Sequence, residues 1–163
     1  MNRGEEDSVK SMYPSVHEVI YKSNYIMLNE RYQYQYPIIM QYLKNKIQGW
    51  SIDRFFIETG VKRVAFYAIT EFTELACDDL QNKPSFIELA YICDKNYQKF
   101  AMGYKGYQVV GIEKLVKDYH AGIIDQIVVC SIFHTNEIFE ELLKRGVKLD
   151  NLISIINIIF SSS

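Results

Sequence analysis

The chain has 163 residues, of which 48% are hydrophobic and 23% are charged, with a formal net charge of −2. This composition is that of a globular protein, and the length suits one domain that buries about 70% of its unfolded surface. The 18 Lys and Arg residues are scattered along the chain, which argues against nucleic acid or an anionic membrane as a partner.

The sequence shows neither a targeting segment nor a membrane span. The acidic residues 1–7 are followed by no apolar segment of the kind that a secretory signal requires. The longest apolar run, residues 152–160, is much shorter than the roughly 20 residues that cross a bilayer. We therefore expect a soluble, cytoplasmic protein.

Cys77, Cys93 and Cys130 each stand in an apolar stretch, and their separations match no metal-binding pattern. We expect three reduced, buried thiols that pack as small hydrophobic side chains, and no metal site.

Residues 1–60 are predicted to form a helical arm that packs on the rest of the protein. Residues 1–12 are expected to fray. Seven of the 13 tyrosines fall in the first 50 residues: Tyr13, Tyr21, Tyr25, Tyr32, Tyr34, Tyr36 and Tyr42. Because tyrosine offers a large contact area with a polar tip, the arm could serve as a homodimer or partner interface.

Within the arm, helical spacing of Ile39, Leu43 and Ile47 predicts a helix that begins near Pro37 and stops near Gly49. Ser51 has the character of an N-cap for a second, short helix over 52–59.

Residues 61–163 alternate between strand and helix patterns. We predict strands at 64–67, 87–93, 107–110, 127–132 and 152–156, and helices at 71–82, 112–120 and 135–145. In the first helix Phe72, Leu75, Ala76 and Leu80 would face inward, and Asp78 and Asp79 would face solvent; in the last, Leu143 would be buried. This alternation indicates an α/β fold, a Rossmann-like parallel sheet of about five strands with flanking helices.

The first strand, turn and helix of this region look like the opening of a dinucleotide-binding unit without its three glycines. Those glycines permit the bend, the approach of a pyrophosphate and the packing of helix on strand. Their places hold Ala68, Thr70 and Thr73.

Four stretches of this region, residues 64–73, 92–96, 109–115 and 125–132, together resemble Rossmann-like domains of bacterial capsule and surface-polysaccharide biosynthesis. That group includes N-terminal domains of sugar acetyltransferases and of nucleoside-diphosphate-sugar dehydratases. The resemblance covers about residues 61–160 and implies NAD(P) or a nucleotide-sugar as the candidate ligand. Of the family's tyrosine and glycine turn, only Tyr67 matches.

The substituted turn has two interpretations. Ala68 would be tolerated where φ stays negative, but Thr70 places a branched side chain where a phosphate would approach the amides, and Thr73 adds bulk. Thr70 could instead cap the helix by accepting a hydrogen bond from an N–H near Thr73. Alternatively the helix N-terminus, including Glu71, still holds a phosphate with help from both hydroxyls.

Two further positions follow strands at the carboxyl edge of the predicted sheet. Asp94, with Lys95, stands where an acidic side chain accepts from ribose hydroxyls, or it forms an Asx turn with Asn96. His134, with Ser131, is either a ligand contact or a loop histidine beside a Thr135 N-cap.

No catalytic motif is present. The Tyr-x-x-x-Lys pairs Tyr42/Lys46 and Tyr91/Lys95 are poor candidates, because one precedes the first strand and the other lies on a strand. We therefore expect a non-catalytic or weakly nucleotide-binding protein that is accessory to surface-polysaccharide or nucleotide-sugar biosynthesis. Two alternatives stay open: an NAD-dependent sugar-nucleotide enzyme fragment of dehydrogenase or epimerase type, and an oligomerisation or partner-binding module that uses the arm.

Overall fold

The computed structural model describes residues 16–161, with side chains from residue 28 onward, so the predicted frayed segment 1–12 lies outside it. The described part opens with one long helix, α1 (Val16–Ile47). Contacts divide the chain into two compact units, residues 1–40 and 41–163. The division falls within α1, and the packing of the arm on the rest of the protein stays a prediction.

Helix α1 differs from the helix that the sequence predicted. It continues through Pro37 and does not begin there; because proline has no N–H, the helix forgoes one hydrogen bond at that point. Ile39 and Ile47, which belong to the stripe that indicated the helix, are exposed, whereas Ile38 and Tyr42 are buried. The spacing found the helix but not its buried face.

The second unit contains a five-stranded, all-parallel sheet whose strand order is β3-β2-β1-β4-β5. The strands are β1 (Arg63–Tyr67), β2 (Glu88–Cys93), β3 (Val109–Val110), β4 (Gln126–Val129) and β5 (Leu152–Ser154). The helices are α2 (Glu71–Gln81), α3 (Ile112–His120), α4 (Thr135–Lys144) and α5 (Ile155–Phe160), with 3-10 helices at Ile52–Phe56, Tyr97–Phe100 and Leu149–Asn151. This is a Rossmann-like α/β fold, in which the chain reverses its winding between β1 and β4. In such sheets ligands bind outside the carboxyl ends of those two strands.

The central strand β1 is covered on both faces. Ala65 and Tyr67 pack in a cluster that includes Leu115 of α3 and Leu142 of α4. Since side chains alternate along a strand, Val64 and Phe66 lie on the opposite face, and both are fully buried. The continuous apolar sequence of β1 follows from this double burial.

Strands β3 and β4 are shorter than predicted, since β3 begins at Val109 and β4 ends at Val129. Two further short elements differ in kind from the sequence-based expectation. The segment after Ser51 is a 3-10 helix that ends at Phe56, and the Ser51 side chain makes no capping hydrogen bond. The isoleucine-rich C-terminal run forms the short strand β5 and then helix α5, where the sequence had predicted strand to residue 156. The Ser154 hydroxyl begins α5 by accepting from the Ile156 N–H at 3.2 Å, and Ile155 and Ile158 are buried. Capping and burial override the β propensity of isoleucine here.

Two predicted orientations are wrong. Asp79 does not face solvent: it is buried, and its carboxylate pairs with the Lys46 ammonium and accepts from the Ile52 N–H at 2.7 Å. A carboxylate tolerates this burial because both of its oxygens have partners. Leu143 of α4 is exposed, since the buried stripe of that helix runs through Ile138 and Leu142.

Candidate functional site

The turn after β1 begins with a bend at Ala68. Its φ is +76°, in the left-handed region that favours glycine, so the negative φ under which an alanine would be tolerated without strain is not present. The Ala68 N–H donates to the Cys93 carbonyl at 2.8 Å, which extends the β1–β2 pairing to the bend itself. The turn therefore keeps the geometry that the first glycine of a dinucleotide-binding unit serves, at a strain of about 1 kcal/mol.

Thr70 and Thr73 close this turn with a reciprocal pair of hydrogen bonds. The Thr70 hydroxyl accepts from the N–H groups of Phe72 (3.2 Å) and Thr73 (3.4 Å). The Thr73 hydroxyl accepts from the Thr70 N–H at 3.1 Å and donates to the Ala68 carbonyl at 2.5 Å. Thr70 has an extended backbone, with φ −139°. The interpretation of Thr70 as the helix cap is confirmed, and the pair forms a capping box.

The Asp94 carboxylate is also used inside the protein. Its Oδ2 accepts from the Ile69 N–H at 2.9 Å, and its Oδ1 accepts from the Asn96 N–H at 2.7 Å. The second bond is the Asx turn that the sequence allowed. Of the two alternatives for this side chain, the Asx turn is present, and the same carboxylate also holds the β1 turn; Lys95 is exposed.

Almost every main-chain donor of the turn has an internal acceptor. The satisfied N–H groups are those of Ala68, Ile69, Thr70, Phe72 and Thr73. Within residues 68–73, all of which the structure describes, the N–H of Glu71 at the first position of α2 is the one main-chain donor without an acceptor. Glu71 and Glu74 also place negative charge in the first turn of α2, at the positive end of the helix dipole. A diphosphate would have to break these bonds and approach carboxylates.

The loop after β4 joins the turn through Thr70, whose hydroxyl donates to the Cys130 carbonyl at 2.8 Å. This bond links the carboxyl ends of β1 and β4. It also uses the one hydrogen that the Thr70 hydroxyl can donate. The candidate phosphate turn, Asp94 and the end of β4 are therefore one hydrogen-bonded assembly.

His134 and Ser131 have local structural partners. The Ser131 hydroxyl accepts from the His134 N–H at 3.2 Å, and the Ser131 carbonyl accepts from the Thr135 hydroxyl at 2.5 Å. The N-cap position of α4 is His134, not Thr135 as predicted, and the Thr135 hydroxyl instead bonds back to the preceding loop. The His134 Nδ1 lies 3.0 Å from the Glu137 Oε2, and both side chains are exposed.

Neither Tyr-x-x-x-Lys tyrosine hydrogen-bonds to the lysine of its motif. The Tyr42 hydroxyl donates to the Leu75 carbonyl at 3.3 Å, and the Tyr91 hydroxyl donates to the Asp118 carboxylate at 3.0 Å. Burial, reinforced by neighbouring carboxylates, raises the pKa of both phenols. An acid/base tyrosine needs a lowered pKa, so these two side chains are poorly suited to that chemistry.

The three cysteines are free and buried. Burial raises the pKa of the Cys77 thiol to about 12 and raises the pKa of the Cys93 and Cys130 thiols as well. Thiols that stay protonated at neutral pH are weak nucleophiles. The described residues contain no group of three or more His, Cys, Asp or Glu side chains placed to hold a metal ion.

Comparison with protein-family models, with curated proteins and with solved structures finds no match to this chain. Within residues 16–161, no helix combines the length and the apolar character that crossing a membrane requires.

One feature of the second unit was missed by the sequence analysis. The connection from β2 to β3 forms an open surface cavity of about 490 Å³, bordered by Tyr97, Phe100 and Tyr107. The signal was present as a cluster of aromatic residues around Gly103 and Gly106, but the glycines suggested only a loop.

Proposed function

We propose that this protein is a non-catalytic Rossmann-like module that does not take a dinucleotide at the β1–β4 boundary. The observation that supports this proposal is the internal use of the turn's donors: Thr70, Thr73 and Asp94 occupy the amides that would meet a pyrophosphate. Breaking a satisfied charge-assisted bond costs about 1.5–3 kcal/mol, which a ligand would have to recover.

The direct test is calorimetric titration of the full chain with NAD, NADP and UDP-glucose. We expect no saturable heat in the micromolar range from any of them. Micromolar binding of one ligand, reduced at least about tenfold by Asp94→Ala and unchanged by the exposed-site control Lys148→Ala, would overturn the proposal. That result would favour the NAD-dependent enzyme fragment, for which turnover of a UDP-sugar would be the next measurement.

The biological setting that we propose is surface-polysaccharide or nucleotide-sugar biosynthesis, in an accessory role. It rests on the sequence resemblance of residues 61–160. In the native cell, removal of the chain should lower the amount of surface polysaccharide. A variant in which the Ala68–Thr73 turn is disrupted but the chain still folds should leave that amount unchanged. Unchanged polysaccharide after removal would contradict this role.

A second candidate function is self-association through the first unit. Leu28, Tyr32, Tyr36 and Ile39 recur at helical spacing on α1, and their side chains are exposed, Tyr32 by 67% and Tyr36 by 65%. An apolar stripe of this kind is typical of an interaction surface. Because the stripe repeats at intervals of four and three residues, a second copy of the same helix is the occupant that it fits.

Sedimentation of the full chain tests this candidate. We expect twice the monomer mass for the natural chain, monomer for Tyr32→Ser with Tyr36→Ser, and unchanged association for the control Gln33→Ser, which leaves the stripe intact. A natural chain that stays monomeric at the highest accessible concentration would exclude self-association.

A further inference from the structure

The cavity in the β2–β3 connection lies at the open edge of the sheet, two strands away from the β1–β4 boundary. Strand β3 is the outermost strand on this side. The Ile92 N–H donates to the Gln108 carbonyl and the Asp94 N–H donates to the Val110 carbonyl, both at 3.0 Å. The main-chain groups of residues 108 and 110 therefore face β2.

Because main-chain groups alternate in direction along a strand, the N–H and C=O of Val109 face away from β2, and Val109 lines the cavity. An extended residue presents this donor and acceptor side by side. A ligand edge that carries an acceptor next to a donor would match both.

The walls of the cavity are aromatic and polar without charge. The aromatic residues that border it are Tyr97, Phe100 and Tyr107, and the residues with amide side chains that border it are Gln98 and Gln108. Among the described residues that border the cavity, none carries a charged side chain at neutral pH. The lining offers a charged ligand no ion pair, so it favours a neutral one.

The connection is held in shape before any ligand arrives. A Cβ on Gly111 would lie 2.9 Å from the Tyr97 ring, so the ring rests directly against the main chain of Gly111. Tyr104 and Tyr107 exchange two main-chain hydrogen bonds of 2.9 Å each.

Lys105 anchors the tip of the connection to α2. Its ammonium contacts the Asp78 carboxylate at 3.0 Å and the Glu74 carboxylate at 3.1 Å. The Lys105 carbonyl accepts from the Gln81 side chain at 2.5 Å. A preformed cavity lowers the ordering cost of binding.

From these features we infer that the β2–β3 cavity is a binding site for a neutral, planar nitrogen heterocycle, the chemical class of the nucleobases. Ring stacking on tyrosine and phenylalanine and paired hydrogen bonds to glutamine amides are the interactions by which proteins hold bases. The Val109 main chain supplies a further donor and acceptor for the heterocycle edge. This site is independent of the turn after β1 and needs no phosphate contact.

The test uses the full chain, labelled with ¹⁵N, titrated with adenosine, guanosine, cytidine, uridine and, as a neutral ligand without a planar heterocycle, glucose. We expect at least one nucleoside to saturate with a Kd below about 1 mM and to shift amide signals within residues 97–109. Glucose should not saturate.

Ala101→Trp supplies the matched blocking variant, because exposed Ala101 borders the cavity and an indole would fill it. We expect it to weaken nucleoside binding at least about tenfold, and the exposed neighbour Lys99→Ala to leave binding unchanged. If Ala101→Trp does not fold, the double variant Gln98→Ala with Gln108→Ala should give the same loss.

Three results would overturn the inference: no nucleoside saturates, glucose binds as tightly as the nucleosides, or binding persists in the blocking variants. NAD binding with shifts at residues 69–73 would instead overturn the proposed function and leave this site untouched. The two failures are therefore distinguishable.

Discussion

The turn after β1 and the connection between β2 and β3 use their polar groups in opposite ways. In the turn, two threonine hydroxyls and one carboxylate satisfy the amides that a phosphate would otherwise meet. In the connection, Val109, Gln98 and Gln108 border an open cavity, and the main-chain N–H and C=O of Val109 face away from β2. The partners that the backbone donors find, and not the fold class, decide which part of this fold is free to bind a ligand.

The largest effect should come from breaking the capping box. Thr73 is fully buried and its hydroxyl serves both the Thr70 N–H and the Ala68 carbonyl. Thr73→Val keeps the volume and removes both bonds, so we expect the free energy of unfolding in urea to fall by about 3 kcal/mol. Thr73→Ser retains the hydroxyl and should cost about 1 kcal/mol. Equal losses for the two variants would show that the hydroxyl is unimportant.

The connection should be the next most sensitive region. Gly103 has φ +83°, and an added Cβ would lie 2.6 Å from the Tyr107 carbonyl oxygen. Gly103→Ala should therefore destabilise the protein by about 2 kcal/mol, from backbone strain and a main-chain clash.

Gly106 provides the matched control for that substitution. Its φ is +82°, but an added Cβ would meet only the Gln81 side chain at 3.8 Å. Gly106→Ala should cost about 1 kcal/mol in the same urea unfolding measurement. A smaller loss for Gly103→Ala than for Gly106→Ala would contradict the close approach of Gly103 to Tyr107.

Removing the Asp94 carboxylate should have a smaller effect, because the side chain is partly exposed. Asp94→Ala leaves the Ile69 and Asn96 N–H groups without their acceptor, and we expect a loss of about 1 kcal/mol by thermal or urea unfolding. The exposed neighbour Lys95→Ala should leave stability unchanged. An Asp94→Ala variant as stable as the natural chain would show that the turn does not depend on this carboxylate.

The smallest effect that we predict is a pH dependence from Asp118. The Lys114 ammonium at 2.7 Å, opposed by burial and assisted by the Tyr91 hydroxyl, lowers the pKa of the Asp118 carboxyl. A lowered pKa in the folded state gives stability that is present above the carboxyl's ordinary pKa and is lost as pH falls through the lowered value. Urea unfolding between about pH 5 and pH 2 should therefore show a shallower loss for Asp118→Asn than for the natural chain. Parallel curves would rule out this contribution.

The sequence predicted the secondary-structure elements well where they depend on nearby residues. The apolar run of β1, the cap at Thr70 and the amphipathic pattern of α2 all follow from nearest neighbours, and each is present in the structure. The left-handed backbone at Ala68 was not predicted, because alanine disfavours it; the Ala68 N–H pairs there with the Cys93 carbonyl of the neighbouring strand.

Long-range partners explain the other differences. Asp79 lies two residues before the end of α2, next to the half-buried Asp78, yet Lys46 and the Ile52 N–H contact it from more than 25 residues away in the sequence. Asp94 bonds to Ile69 across the same kind of distance in the chain. Hydrophobic periodicity carries no information about such polar contacts, and the β2–β3 cavity likewise exists only after residues on both sides of Gly103 are brought together.

Amide hydrogen exchange of the turn after β1 tests the central claim most directly. If the donors are satisfied internally, the N–H groups of Ile69, Thr70 and Thr73 exchange slowly and the Glu71 N–H exchanges fast. Adding NAD in large excess then changes none of these exchange rates. Fast exchange of all four groups, or a marked slowing when NAD is added, would show that the turn is open to a diphosphate and would contradict the claim.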